Sequence, residues 1–144
     1  MTTNYLKLAI NDPAIIGPGY WVNWHRKSLV ADNRNKKIEV ARSIAVDIAR
    51  FPCNHCREHA LYYVGKHPMK DAIDDDHIFS MFYWTVDFHN AVNSFLGKIH
   101  IPREEAIAMW DDTNVCKEGD CTNNKQEKLE DKKRFERTVN KKRG

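Results

Sequence analysis

Residues 51–59 read FPCNHCREH, and two residues separate the two cysteines of this stretch. A Cys-x-x-Cys pair is typical of a disulfide that opens and closes during catalysis, of half a zinc site, or of an inert pair. Pro52 precedes Cys53, and the pattern predicts a helix that begins at the pair and ends near Gly65. Because the N–H groups at a helix start stabilise a thiolate, Cys53 is placed for exchange, and Cys56, one turn further, is predicted to face inward.

A second close pair follows at Cys116 and Cys121. The first residues lack the basic and apolar stretches of a signal peptide, and no run of about 18 apolar residues is present. We therefore predict a cytoplasmic protein without a membrane segment. In such a chain close cysteine pairs are more often redox-active or metal-binding than structural.

Several polar and aromatic residues recur at helical spacing, as if to line an interior. His89, Asn90 and Asn93 share one otherwise apolar face, and Trp21 and His25 are four residues apart. Buried polar groups need partners, so these residues satisfy one another, form a solvated stripe, or contact a ligand. A tryptophan in the position of Trp21 or Trp110 more often packs in the core than contacts a cofactor.

The elements that position these residues have helical periodicity, and no strand-like alternation of any length occurs. We predict four useful helices and a short fifth one. Residues 66–76 are predicted to connect the third helix to the fourth, and Asp76 is predicted to cap the fourth helix. Ile38, Ala41, Ala45 and Ile48 are predicted to form the buried stripe of the second helix. The predicted helical segments are 18–31, 36–51, 53–65, 77–96 and 103–110. Helices of this length with short connections indicate an all-α bundle.

The charge is uneven along the chain, whose formal net charge is +3. From residue 117 to 144 there are ten Lys/Arg and six Asp/Glu, whereas residues 1–116 are nearly neutral. We therefore predict one domain over residues 1–115 and a charged, flexible tail over 116–144. The charge in the tail is mixed, which argues against nucleic acid as a partner.

Together these motifs resemble those of the flavin-dependent sulfhydryl oxidases of the Erv/ALR family. The matching segments, which stand in the family's order, are GPGYWVNWH, PCNHC and FHNAVNSFLGK. The resemblance covers about residues 17–110. It implies a four-helix bundle with a short fifth helix, FAD held at the mouth of the bundle, and a homodimer. The GPGYW variant and the short chain look most like the oxidases of large cytoplasmic DNA viruses.

The resemblance also implies roles for single residues. Cys56 matches the cysteine adjacent to the flavin ring, and Cys53 matches the cysteine that exchanges with the incoming dithiol. The positions that match FAD contacts are Gly17, Tyr20, Trp21, His25, His89, Asn93, Lys98 and Trp110. Pro18 stands where the family often has an FAD-binding Arg, and the family's long Cys-x16-Cys disulfide is missing. Cys116 and Cys121 resemble the C-terminal shuttle pair of plant-type members.

The resemblance implies a relay in which a protein dithiol, or a thioredoxin-like intermediary, reduces the Cys-x-x-Cys disulfide. Electrons then pass to FAD and to dioxygen, which becomes hydrogen peroxide. The main alternative is a zinc-binding interaction module that uses both cysteine pairs, with His55 or His59 as a further ligand. A thioredoxin-like reductase is a second alternative, but it needs a strand before the first cysteine.

Overall fold

The computed structural model of the chain describes residues 12–111, which contain six helices. The helices are α1 (Pro13–Leu29), α2 (Arg34–Arg50), α3 (Asn54–Lys66), α4 (Met69–Asp74), α5 (Ser80–Phe95) and α6 (Arg103–Trp110). The described part of the chain contains no strand, so the predicted all-α class is confirmed. Four long helices and the short α6 form the predicted bundle. None of the helices in residues 12–111 is long and apolar enough to cross a membrane.

Helix α1 begins well before the predicted start at Pro18. Asp12 caps it by accepting a hydrogen bond from the Ala14 N–H at 2.9 Å, and Pro13 occupies the first turn, where its missing N–H costs nothing. Pro18 therefore lies inside the helix. As a result, Gly17 is part of a helix rather than the entry to one, which corrects the prediction.

Helix α2 buries a stripe that differs from the predicted one. Its buried residues are Lys37, Val40, Ala41, Ile44 and Ile48. Ala45 is exposed and Ile38 is half-buried, so that part of the prediction was wrong. The stripe begins at a lysine because the Lys37 ammonium donates to the carbonyl oxygens of Asp75 at 2.5 Å and His77 at 3.0 Å. Two charge-assisted hydrogen bonds satisfy the buried charge.

The segment between α3 and α5 differs from the prediction in two ways. The residues that were predicted to connect these helices include α4, whose Ala72 is buried and accepts a hydrogen bond from Ser80 Oγ at 2.6 Å. Asp76 does not cap α5, which begins at Ser80 without a side-chain cap. The segment before α5 is held instead by Lys37, through the carbonyl groups of Asp75 and His77.

Helix α5 is the central element and carries more buried side chains than any other helix in the described residues. One core cluster packs Trp84 and Phe88 against Trp24 of α1 and against α2, and a second packs Phe82 and Val86 against α6. Because α5 contacts α1, α4 and α6, its side chains connect the whole bundle.

The end of α5 is fixed by a glycine cap directly after residue 96, where the sequence predicted this helix to end. Gly97 has φ 68°, and the following Lys98 N–H donates to the Asn93 carbonyl at 2.7 Å. This turn returns the chain over α5 and towards α6. The predicted boundary at residue 115, the tail 116–144 and the Cys116–Cys121 pair lie outside the described residues.

Candidate active site

The cysteine pair stands at the start of α3, where the sequence predicted it. Cys53 is the N-cap residue, and its Sγ accepts a hydrogen bond from the Cys56 N–H at 3.2 Å. The two residues form a disulfide with their Cα atoms 5.2 Å apart. Both cysteines are half-buried, so the exchanging role of Cys53 and the inward role of Cys56 stay predictions. A disulfide at a helix start favours exchange, because the backbone N–H groups stabilise the thiolate that is released.

The side chains beside the pair connect it to the rest of the bundle. Arg57 donates to the Phe51 carbonyl at 2.8 Å, which fixes the turn before the pair. On the same helix, the ring of His59 packs on that of Phe95 at 4.4 Å between centroids, and His55 lies at 5.8 Å from Phe95. The disulfide end of α3 therefore adjoins the C-terminal end of α5.

Two histidines on facing helices form a hydrogen-bonded pair. His25 of α1 is 2% exposed, and its Nε2 lies 2.8 Å from Nδ1 of His89 on α5. Nδ1 of His25 lies 3.0 Å from the Thr85 hydroxyl oxygen. Trp21 stacks on the His89 ring with 4.1 Å between centroids and 2° between planes. The four side chains form one continuous unit of contacts between α1 and α5.

A small open cleft lies against this unit, and it is bounded by α1, α5, α6 and the turn between α5 and α6. Its lining residues are His25, Val86, His89, Asn90, Asn93, Ile101, Ala106 and Trp110. Four of the predicted FAD-contact residues are therefore brought together here, with Trp21 stacked behind one of them. The cleft is therefore where half of the eight predicted contacts meet.

The two asparagines of the cleft have different tasks. Asn90 donates to the Ile101 carbonyl at 2.7 Å and accepts from the Ile101 N–H at 2.9 Å, so it holds the turn before α6. Asn93 is buried and donates to the Ile99 carbonyl at 3.3 Å. Its Oδ1 has no hydrogen-bond partner among residues 12–111. A buried polar atom without a partner is a reason to expect a ligand.

The electrostatics of the cleft keep the imidazoles neutral and place cations around them. Burial, with a smaller contribution from His89, lowers the pKa of His25 to about 3. Burial and then the nearby Lys98 ammonium lower the pKa of His89 to about 4. The Arg26 guanidinium lies 5.8 Å from the Trp110 ring centre. Neutral rings at the base and positive charges nearby suit a ligand with an aromatic part and an anionic part.

These pKa values predict how stability changes with pH. Both folded-state pKa values lie below the ordinary value of 6.5, so the unfolded chain binds protons first as the pH falls. We expect the free energy of unfolding to decrease from about pH 6.5 towards pH 4, by at most about 1.4 kcal/mol per pH unit for each histidine. Urea unfolding across this range measures the slope. His25→Gln should flatten it and the exposed-site control His100→Gln should not; a wild-type stability that rises towards pH 4 would contradict the assignment.

The remaining predicted contacts lie outside the cleft lining. Lys98 is exposed but close enough to act on His89, whereas Gly17 is half-buried in α1. Tyr20 packs on Phe51 at 5.2 Å and on Trp24 at 5.7 Å, and so joins α1 to the segment before the cysteine pair. Sequence reasoning missed Thr85, although it lies four residues before His89 on the same helical face.

Comparison with known proteins places these features in a family. The profile of the Erv1 / Alr family matches residues 18–118, a range that includes the disulfide and every residue of the cleft. The chain belongs to the Erv1/Alr family. The resemblance drawn from the three motifs is thereby confirmed.

Individual relatives of the chain are viral proteins. Protein 347L of Invertebrate iridescent virus 6 is 31% identical over 107 residues, which cover 69% of this chain and 95% of the relative. A protein of African swine fever virus (isolate Warthog/Namibia/Wart80/1980) named FAD-linked sulfhydryl oxidase is 35% identical over 85 residues, 57% of this chain and 68% of the relative. Protein 088R of Frog virus 3 is 29% identical, over 68% of this chain and 67% of the relative. These sources agree with the predicted viral branch.

Proposed function

We propose that this protein is an FAD-linked sulfhydryl oxidase, an enzyme that forms disulfides in protein dithiols with dioxygen as the electron acceptor. The observation that carries the proposal is the Cys53–Cys56 disulfide at the start of α3, in a chain of the Erv1/Alr family. The name of the African swine fever virus relative supports the same activity and the same cofactor.

The residues of the cleft fit FAD on chemical grounds. The Oδ1 atom of Asn93 and the Nε2 atom of His89 have no hydrogen-bond partner within residues 12–111, and FAD carries N–H and O–H groups that could supply one. The ring systems of Trp21, His89 and Trp110 offer flat surfaces beside these atoms. We therefore assign the cleft and its rim to FAD, with the predicted Gly17 and Tyr20 as further contacts near the first helix.

Two cations near the cleft could supply the positive charge that Pro18 lacks. The family often has an arginine at this position, and the pyrophosphate of FAD carries negative charge that needs a partner. Lys98 is near enough to depress the pKa of His89, and Arg26 lies against Trp110 on the rim of the cleft. We propose that Lys98 and Arg26 take over this interaction.

The cysteine pair performs the exchange chemistry. A substrate thiolate attacks Sγ of Cys53, the Cys53–Cys56 bond breaks, and Cys56 leaves as a thiolate. The second substrate thiol then attacks the substrate sulfur of the mixed disulfide, which releases Cys53 and closes the substrate disulfide. Two electrons and two protons have then moved from the substrate to the pair. When bound, FAD supplies the two-electron acceptor that reoxidises the pair and reduces dioxygen to hydrogen peroxide.

Further parts of the proposal concern partners and location. Cys116 and Cys121 would carry electrons from a protein substrate, or from a thioredoxin-like intermediary, to Cys53. A homodimer, a domain over residues 1–115 and a cytoplasmic or virion location remain predictions from the sequence. The zinc-module alternative loses support because a Cys53–Cys56 disulfide leaves neither sulfur as a thiolate ligand. The thioredoxin-like alternative is wrong, since helix α2 leads into the pair.

The test uses the purified full-length protein. We expect it to be yellow or to become so with added FAD, and to consume dioxygen when given a small dithiol such as dithiothreitol, with one hydrogen peroxide formed per disulfide. A colourless protein that does not bind FAD would overturn both the cofactor and the activity. A yellow protein without oxygen uptake would overturn the activity alone.

A further inference from the structure

The buried hydroxyl of Thr85 has no part in the exchange chemistry above, yet it lies at the base of the histidine pair. Thr85 is 0% exposed. Its Oγ1 lies 2.7 Å from the Phe82 carbonyl oxygen, 3.0 Å from Nδ1 of His25 and 3.1 Å from Oγ of Ser28. A hydroxyl has one hydrogen to give, so only one of these contacts is donated by Thr85.

The shortest contact determines where that hydrogen lies. A carbonyl oxygen only accepts, and two oxygen atoms at 2.7 Å repel each other unless a hydrogen lies between them. Thr85 therefore donates to Phe82, as threonine commonly does within a helix. The nearest contact of Ser28 is likewise a carbonyl, that of Trp24 at 2.7 Å, so its own hydrogen is also committed. Nδ1 of His25 must then be the donor to Thr85.

The position of the hydrogen on His25 determines the position of the hydrogen on His89. A neutral His25 with hydrogen on Nδ1 has a lone pair on Nε2, and burial keeps the ring neutral by lowering its pKa to about 3. The 2.8 Å contact with His89 is consequently donated by Nδ1–H of His89. Because His89 is neutral as well, its Nε2 is left with a lone pair and no partner among residues 12–111.

We propose that Thr85 is a positioning residue that sets the tautomers of both histidines, so that the cleft presents Nε2 of His89 as a hydrogen-bond acceptor to an N–H or O–H group of FAD. The part about FAD rests on the proposed function; the tautomer order does not. Trp21 completes the arrangement, since its stacking at 2° to the His89 ring fixes the plane in which that lone pair points. With the opposite tautomers, Nε2 of His89 would carry a hydrogen, act as a donor and reject an N–H group of the ligand.

The tautomer order can be measured directly by nitrogen NMR on the full-length protein labelled with ¹⁵N-histidine, with and without FAD. We expect both His25 and His89 to carry hydrogen on Nδ1. In Thr85→Val, which keeps the shape and loses the hydroxyl, both rings should switch to the Nε2–H form. Thr85→Ser keeps a hydroxyl and should preserve the wild-type order, and the control Ser28→Ala should do the same because it leaves the Phe82 and His25 contacts of Thr85 in place.

The affinity for FAD gives a second readout. Losing one acceptor in a buried site should weaken FAD binding roughly 10-fold in Thr85→Val, whereas Thr85→Ser should stay within about twofold of wild type. A wild-type spectrum with hydrogen on Nε2 of His89 overturns the proposal, even if Thr85→Val does not fold. Equal losses in Thr85→Val and Thr85→Ser also overturn it, since they would show that only shape matters. If wild type fails to bind FAD, the proposed function and the FAD part fall, while the NMR still decides the tautomer order.

Discussion

Replacing Cys56 with serine is expected to lower dithiol-driven oxygen uptake by at least about 10³-fold. The Cys53–Cys56 bond is the one disulfide within residues 12–111, and a serine hydroxyl can neither form that bond nor release a thiolate. The measurement is the rate of oxygen uptake with dithiothreitol, with FAD content checked by absorbance so that a loss of cofactor is not mistaken for a loss of chemistry.

The second cysteine pair supplies the matched control for this variant. With a small dithiol, which should need no shuttle to reach the Cys53–Cys56 disulfide, the double variant Cys116→Ser/Cys121→Ser should keep the wild-type rate. With a reduced protein substrate its rate should fall if the pair is a shuttle. Oxygen uptake at the wild-type rate in Cys56→Ser would show that electrons do not pass through the disulfide of α3.

Replacing Trp21 with alanine is expected to weaken FAD binding by about 10²-fold. The indole stacks on His89 at 4.1 Å and packs edge-on against Phe88 and Trp24, each at 5.1 Å. Its removal takes away the flat surface that the indole is proposed to offer FAD and leaves the His89 ring without its stacking partner. Together we expect these losses to cost about 3 kcal/mol of binding free energy, and a tenfold change in affinity corresponds to about 1.4 kcal/mol. Titration of the FAD-free protein followed by flavin fluorescence measures the affinity.

Two further variants separate stacking from general damage to the fold. Trp21→Phe keeps a flat ring and should recover part of the affinity. Tyr62→Ala removes an aromatic residue from α3 that is 68% exposed, and it should bind FAD as wild type does. The prediction is wrong if Trp21→Ala remains folded by circular dichroism and binds FAD within about twofold of wild type.

The parts of the fold that the sequence predicted well depend on local signals. The start of α3 follows from Pro52 and Cys53, and the end of α5 follows from Gly97, whose φ of 68° suits glycine. Helix α6 begins directly after Pro102 for the same kind of reason. Such signals act between neighbouring residues, so they are visible without knowledge of the tertiary structure.

The parts that the sequence predicted wrongly depend on contacts between distant residues. Asp76 is of a residue type that commonly caps helices. The segment around it is held instead by the Lys37 ammonium, which binds two carbonyl groups 38 and 40 residues further along the chain. The same contact buries a lysine at the start of the α2 stripe, where an apolar residue was expected. Helix α4 exists because Ala72 finds a buried place between α2 and α5, and a six-residue helix has no strong signal of its own.

The sequence predicted which residues belong to the candidate site, but it did not predict how they contact one another. The motif residues His25, His89, Asn93 and Trp110 were named from the resemblance, and the structure brings them to one cleft. No pattern in the sequence showed that the two imidazoles share a hydrogen bond, because His25 and His89 are 64 residues apart. Thr85 lies four residues before His89 and could have been noticed for that reason. The role of its hydroxyl, however, depends on its contact with the His25 ring, which the sequence does not show.

The most direct test of electron transfer from the disulfide to FAD is an anaerobic mixing experiment. FAD-loaded protein is mixed with excess dithiothreitol in the absence of oxygen, and the visible absorbance of the flavin is followed with time. We expect rapid loss of colour in wild type, return of colour when oxygen is admitted, and a flavin that stays yellow in Cys56→Ser. Loss of colour at the same rate in Cys56→Ser, or a wild-type flavin that stays yellow, would contradict the relay.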